Sequence, residues 1–134
     1  MPRAWVVEDN DLNFELIDFL LVEAGWQVVR ARDGEELAAL FDAAAPDVVL
    51  LDMNLPGASG LELAGRLRAD ARLARVPLVA VTAHAMRGDR ERFLDGGCDA
   101  YVPKPIEAPQ LFAVLEAMLG LTGRGEPRPP RASE

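Results

Sequence analysis

Hydrophobic positions along the chain change their period several times. Ala4 to Val7 is a short apolar run with strand-like residues, and it stops at Glu8-Asp9-Asn10-Asp11. Leu16, Ile17, Leu20, Leu21 and Ala24 then recur at helical spacing, and Gly25 supplies a stop. Trp26 to Val29 reads as a strand. Asp33 and Glu36 have capping-box spacing ahead of an apolar face at Leu37, Leu40, Phe41 and Ala44, and Pro46 closes that helix. Val48-Val49-Leu50-Leu51 is apolar without alternation, the signature of a parallel-sheet strand buried on both faces. It ends at Asp52. A loop with Pro56-Gly57 leads to a second capping box, Ser59 and Glu62, which opens a helix to about Asp70. Leu78 to Val81 reads as another buried strand, residues 84–96 as a polar helix, and Asp99 to Val102 as a short strand. Pro109 fits the first turn of a last helix with Leu111, Val114, Leu115 and Met118 on one face.

Strands alternating with helices of this length imply βαβ units and a parallel sheet. Right-handed crossovers leave few topologies. The expectation is an α/β protein with a doubly wound, five-stranded parallel sheet of order 2-1-3-4-5, the flavodoxin-like arrangement, over residues 1–119. Residues 120–134, rich in Gly, Pro and Arg with almost nothing apolar, are expected to be a disordered tail.

Composition narrows the possibilities further. The length of 134 residues suits one domain. The longest apolar runs, Leu37 to Phe41 and Leu111 to Leu115, fall far short of the roughly 20 residues a membrane span needs. No apolar signal segment follows Met1, so a cytoplasmic location is expected, with no membrane partner. The single cysteine, Cys98, excludes an internal disulfide and a Cys-based zinc site, and reads as a small buried hydrophobe. The net charge is −8; the tail carries three Arg and two Glu, or +1, which leaves −9 for residues 1–119. A body so acidic repels nucleic acid. Of the 14 basic residues only Lys104 is a lysine.

In an open parallel sheet, ligands bind outside the carboxyl ends of the strands. Those ends carry Glu8-Asp9 on the first strand, Asp52 on the third, Thr82-Ala83 on the fourth, and Lys104 after the fifth. Three carboxylates brought together repel one another unless protonated or bound to a cation. Oxygen ligands with water in the gaps suit Mg²⁺ or the similar Mn²⁺. A carboxylate beside such a cation can act as a nucleophile toward phosphorus, while a lysine and a hydroxyl hold phosphoryl oxygens. Each piece also has a plainer reading. Glu8, Asp9 and Asp11 suit the positive end of a helix, Asp52 suits a turn, Lys104 could be solvated, and Tyr101 could be only a strand aromatic.

The stretches VVEDN (6–10), DVVLLDMNLPGASGLEL (47–63), VPLVAVTAHAM (76–86) and GGCDAYVPKPI (96–106) together resemble the receiver domains of two-component response regulators. The resemblance covers residues 3–119, and in detail the chain is similar to stand-alone receivers of the DivK type and to receivers in hybrid kinases. It implies that Asp52 is the phosphoacceptor. Asp9, Asp52 and the backbone carbonyl of Met53 would hold the metal, with Glu8 direct or through a water. Thr82, Ala83 and Lys104 would contact the phosphoryl group. Thr82 and Tyr101 would switch on phosphorylation, and the Lys104–Pro105 peptide would be cis. Pro56 and Gly60 fit the family's loop after the acceptor. Asn54 and His84 would tune the phosphate lifetime. Position 8 departs from the family, being Glu where many members have Asp.

The implied function is a single-domain response regulator in a phosphorelay. It would be phosphorylated by a sensor histidine kinase or a histidine phosphotransfer protein, and would then bind or release a downstream protein partner. Turnover of external substrates is not expected. Met1 and the polar end favour a complete chain. Three alternatives stay open: a receiver cut from a hybrid histidine kinase, a phosphatase or flavodoxin on the same fold, and an interaction module without the chemistry. A haloacid-dehalogenase-type phosphatase would want two Asp two residues apart after its first strand, where this chain has the adjacent pair Glu8-Asp9.

Overall fold

The run at 48–51 becomes the central strand of a five-stranded parallel sheet in the computed structural model, which describes residues 2–55, 57, 59–83 and 89–122. The elements are β1 (Arg3–Val7), α1 (Asp11–Glu23), β2 (Gln27–Ala31), α2 (Gly34–Leu40), β3 (Val48–Asp52), α3 (Gly60–Ala69), β4 (Leu78–Thr82), α4 (Asp89–Asp95), β5 (Ala100–Pro103) and α5 (Ala108–Thr122). The strand order is β2-β1-β3-β4-β5, as the sequence predicts. Successive residues of each strand point to opposite faces, so each face builds its own core. Trp5, Val7, Val49, Leu51 and Ala80 pack with Leu37 of α2, Leu63 and Leu67 of α3, and Phe93 of α4. Ala4, Val6, Val48, Leu50 and Val79 pack with Ile17 and Leu21 of α1 and Leu111 and Leu115 of α5. Each fully buried Leu stabilises the fold by about 1.5–3 kcal/mol relative to exposure. This two-sided burial explains why the central strands carry no polar alternation.

Local chemistry starts each helix. Asn10 caps α1 by accepting from Asn13 N–H at 2.9 Å, and Asp33 caps α2 by accepting from Glu36 N–H at 2.9 Å. Ser59 caps α3, its hydroxyl accepting from the N–H groups of Leu61 and Glu62. The ends are set by tertiary contacts. α2 stops at Leu40, short of the Ala44 that the apolar spacing suggests, because Arg72 donates to the carbonyls of Phe41 and Ala43 and holds them in a turn. β2 begins at Gln27 and runs to Ala31, while Trp26 is buried just before it. α5 continues three residues past the expected boundary at 119; one glycine costs only about 1 kcal/mol and does not by itself end a helix. The rest of the expected tail, 123–134, lies outside the described residues, as do 84–88 of the expected polar helix.

A second arginine fastens the amino-terminal end of the sheet. Arg68 Nε donates to Gly97 O at 2.8 Å, and its Nη1 donates to Val76 O at 2.6 Å and Ala74 O at 3.1 Å. Its Nη2 pairs with Asp99 at 2.7 Å, and the same Asp99 oxygen accepts from Leu78 N–H at 2.8 Å. One guanidinium therefore ties α3 to the starts of β4 and β5. The outer face of α1 is less covered, with Leu12, Leu16, Phe19 and Val22 all exposed.

The loop after β3 is held by a close backbone approach. A Cβ at Gly60 would lie 2.7 Å from Met53 Cα and 2.7 Å from its sulfur. Only glycine lets α3 start against the chain as it leaves the central strand. Gly60→Ala should destabilise the protein by about 1–3 kcal/mol in urea titrations, the range for overpacking a tight site.

Candidate functional site

The carboxyl ends of β1, β3, β4 and β5 gather the polar residues the sequence singles out. Backbone rungs carry the order up to this rim: Glu8 N–H donates to Ala31 O at 2.9 Å, Met53 N–H to Val81 O at 2.9 Å, and Lys104 N–H to Thr82 O at 2.8 Å. Glu8 and Asp52 are almost sealed from water, only 1% and 2% exposed, whereas Asp9 is exposed. Glu8, Asp9 and Asp52 each present an oxygen, and the three lie within 4.8 Å of one another. Lys104 Nζ sits 3.2 Å from Asp52 Oδ1 and 3.6 Å from Glu8 Oε1. Asp52 Oδ1 also accepts from Asn54 N–H at 2.9 Å, which fixes the carboxylate's rotation.

Burial of Glu8 is the dominant electrostatic fact. Removal from water pushes its pKa from 4.5 up to about 7; the Asn10 N–H on Oε2 pulls it back, the Asp52 charge and hydrogen bond push it up again, and Lys104 lowers it. Its other oxygen, Oε1, is buried without a hydrogen-bond partner. One ammonium against three carboxyl groups leaves the cluster short of positive charge. A buried carboxylate oxygen with an ammonium at 3.6 Å but no hydrogen bond, in an all-oxygen acidic set, fits a hard divalent cation, which takes carboxylates, carbonyls and water.

The remaining expected residues fall around this cluster. Thr82 is buried at the end of β4. Ala83 N–H donates to Asn54 Oδ1 at 3.3 Å, so Asn54 occupies a donor beside the acid cluster. The Lys104–Pro105 peptide is cis. Tyr101 is half-buried on β5 in register with Ala80, beside an open depression lined by Leu94, Asp99 and Gln110. Met53 is partly buried where the chain turns away from β3. Pro56 and His84 lie outside the described residues. Cys98 is buried, and burial pushes its thiol up to about 11, which suits a packing role.

Sequence reasoning passes over Arg30. This β2 side chain reaches across to the β1–α1 loop and donates from Nε to Glu8 O at 3.1 Å and from Nη2 to Asp9 O at 3.3 Å. It also pairs with Asp11 at 2.9 Å and lies 4.5 Å over the centroid of the Phe14 ring. Its one advance signal is position, at the carboxyl end of the strand that neighbours β1.

Among the described residues no helix is long and apolar enough to cross a membrane. A family profile described as Response regulator receiver domain matches residues 4–116. The chain is 42% identical over 121 residues to the polar-differentiation response regulator DivK of Brucella anthropi, which spans 90% of this chain and 98% of that one. With DivK of Brucella ovis it shares 43% identity over 115 residues, 86% of this chain and 94% of that one. The structure is similar to the receiver domain of sensor histidine kinase PA1611 from Pseudomonas aeruginosa PAO1, described with a magnesium ion coordinated in its active site cleft. That likeness has a TM-score of 0.81 at 32% identity and covers 89% of this chain and 98% of that one.

The raised pKa of Glu8 gives a signed pH dependence. Between about 4.5 and about 7 the folded protein holds a proton that the unfolded chain has lost. Stability without a divalent cation therefore falls as pH rises through this window, by on the order of 3 kcal/mol. Glu8→Gln should flatten that slope in urea titrations run in EDTA from pH 5 to pH 8. An unchanged slope would show that another group carries it.

Proposed function

Because the chain belongs to the response regulator receiver domain family, we propose that it accepts a phosphoryl group on Asp52 in a divalent-cation-dependent reaction and thereby switches its affinity for a protein partner. The observation that carries the reading is the placement of Asp52. It is buried at the end of the central strand, held by Lys104, and set within one cluster with Glu8 and Asp9. Asp9, Asp52 and the Met53 carbonyl would hold the cation, with Glu8 direct or through a water. Mg²⁺ or Mn²⁺, when bound, neutralises the clustered charge that would otherwise repel a phosphate anion.

The chain's own groups then do the following. A carboxylate oxygen of Asp52 forms the bond to phosphorus while the donor's leaving group departs, giving an aspartyl-phosphate. Lys104 leaves its pairing with the free carboxylate and follows the charge onto a phosphoryl oxygen. Ala83 N–H exchanges Asn54 Oδ1 for a second phosphoryl oxygen, and the Thr82 hydroxyl turns toward the same group. Asn54 therefore stands at the step that sets the lifetime, with His84 in the same role. Tyr101, half-buried on the neighbouring strand, reports the change to the face beyond it. None of these steps turns over an external substrate. A cytoplasmic location remains part of this proposal.

The donor is a histidine kinase or a phosphotransfer protein, and the exposed face of α1 supports a docking place for it. Leu12, Leu16 and Phe19 form an apolar stripe that starts three residues after Asp9, at the second position of α1. α1 also carries Asp11, Glu15, Asp18 and Glu23 and no basic residue. The charge complement is an amphipathic donor helix with an apolar stripe flanked by Lys or Arg.

Two experiments test these assignments. With a small phosphodonor and Mg²⁺, intact mass and peptide mapping should find one phosphoryl group on Asp52, and none in Asp52→Asn. Labelling that survives this substitution, or that ignores EDTA, overturns the site. Separately, Phe19→Ser should slow transfer from a cognate donor protein by about tenfold, the loss of one interface anchor. Labelling by the small phosphodonor should not change. Equal slowing with both donors would remove α1 from docking.

A further inference from the structure

We propose that Arg30 is a positioning residue for the cation site: its guanidinium fork fixes the backbone of Glu8 and Asp9 and so sets the affinity of the carboxylate cluster for a divalent cation. The inference rests on the cation site proposed above. The β1–β2 ladder ends with Glu8 N–H donating to Ala31 O, and beyond that rung the chain leaves the sheet. The next two carbonyls, of Glu8 and Asp9, find their donors on Arg30 at 3.1 and 3.3 Å. The same Nη2 pairs with Asp11, the first residue of α1, and the guanidinium stacks on Phe14 in the following turn. One side chain, 15% exposed, thus spans the strand exit, the exposed acidic residue of the cluster and the helix start. Asp9 is held from the other side through Asn10, whose carbonyl accepts from Phe14 N–H at 3.0 Å and whose N–H donates to Glu8 Oε2 at 3.1 Å. Without the fork, the loop between Glu8 and Asn10 keeps the ligands but loses their fixed separation.

Charge and geometry predict opposite signs here. As a bare positive charge, Arg30 repels an incoming divalent cation, and its removal tightens binding. As a positioning group it preorganises the ligands, and its removal weakens binding. Lysine separates the two, because it keeps the charge but cannot span three acceptors in one plane and stack on a ring.

The test is Mg²⁺ titration calorimetry on the full chain at pH 8, comparing wild type with Arg30→Lys and Arg30→Met. Both variants should bind Mg²⁺ more weakly, on the order of tenfold for a lost outer-shell partner. Labelling of Asp52 should return to the wild-type rate at saturating Mg²⁺, since the nucleophile is untouched. Arg68→Met, which loses a comparable set of bonds at the opposite end of the sheet, should lower the melting temperature and leave Mg²⁺ affinity unchanged. Wild-type affinity in Arg30→Lys together with tighter binding in Arg30→Met would assign the residue to charge alone and overturn the proposal. Unchanged affinity in both, or equal weakening in Arg68→Met, would overturn it as well. If wild type takes up no Mg²⁺, the cation site itself fails, and this role fails with it.

Discussion

Glu8 and Asp52 sit almost dry at the ends of adjacent strands, facing each other across a gap that one ammonium only partly neutralises. Putting like charges out of water is costly, and the chain keeps them there because the sheet leaves no alternative. β1 and β3 pair in parallel from Ala4 with Val48 to Val7 with Leu51, so the residues that follow each strand emerge side by side. The hydrophobic packing on both faces holds that register far more strongly than the acid cluster can disturb it. Repulsion at the rim is thus maintained by burial elsewhere. A proton on Glu8 relieves part of it, and a divalent cation would relieve more.

The surrounding elements answer to the same constraint. Lys104 reaches Asp52 from a short loop whose backbone is pinned to β4 through Thr82. Gly60 lets α3 start against Met53, which keeps the turn after Asp52 tight. Asn54 holds both Asp52 and Ala83, so a residue two positions after Asp52 bridges two strands. Each group fixes a position around Asp52 without supplying the full charge the cluster lacks. Under the proposed function, such a site is preorganised for an ion and an anion arriving together.

The sequence makes the central strands legible because burial on two faces writes an unbroken apolar run, as in Val48 to Leu51. It makes the rim legible because topology alone brings Glu8, Asp9, Asp52, Thr82 and Lys104 to one edge. The end of α2 is not legible, since Ala43 and Ala44 continue the helical pattern and the stop comes from Arg72, some thirty residues on. Arg30 and Arg68 are hidden for a related reason. Their acceptors are mostly main-chain carbonyls, which leave no trace in residue type, and in an arginine-rich chain neither stands out. Lys104 is the opposite case, conspicuous by being the one lysine.

Arg68 gives the molecule a fixed end. Its contacts with Gly97, Ala74, Val76 and Asp99 all lie where β4 and β5 begin, a full strand length from the acid rim. β4 and β5 are therefore clamped at one end and, at the other, carry Thr82 and the chain leading to Lys104. These bonds oppose sliding of the two strands at their base. Tyr101 lies between that clamp and the rim, in register with Ala80, so under the proposed function a change of charge at Asp52 would reach the β5 side of the protein along this pair of strands.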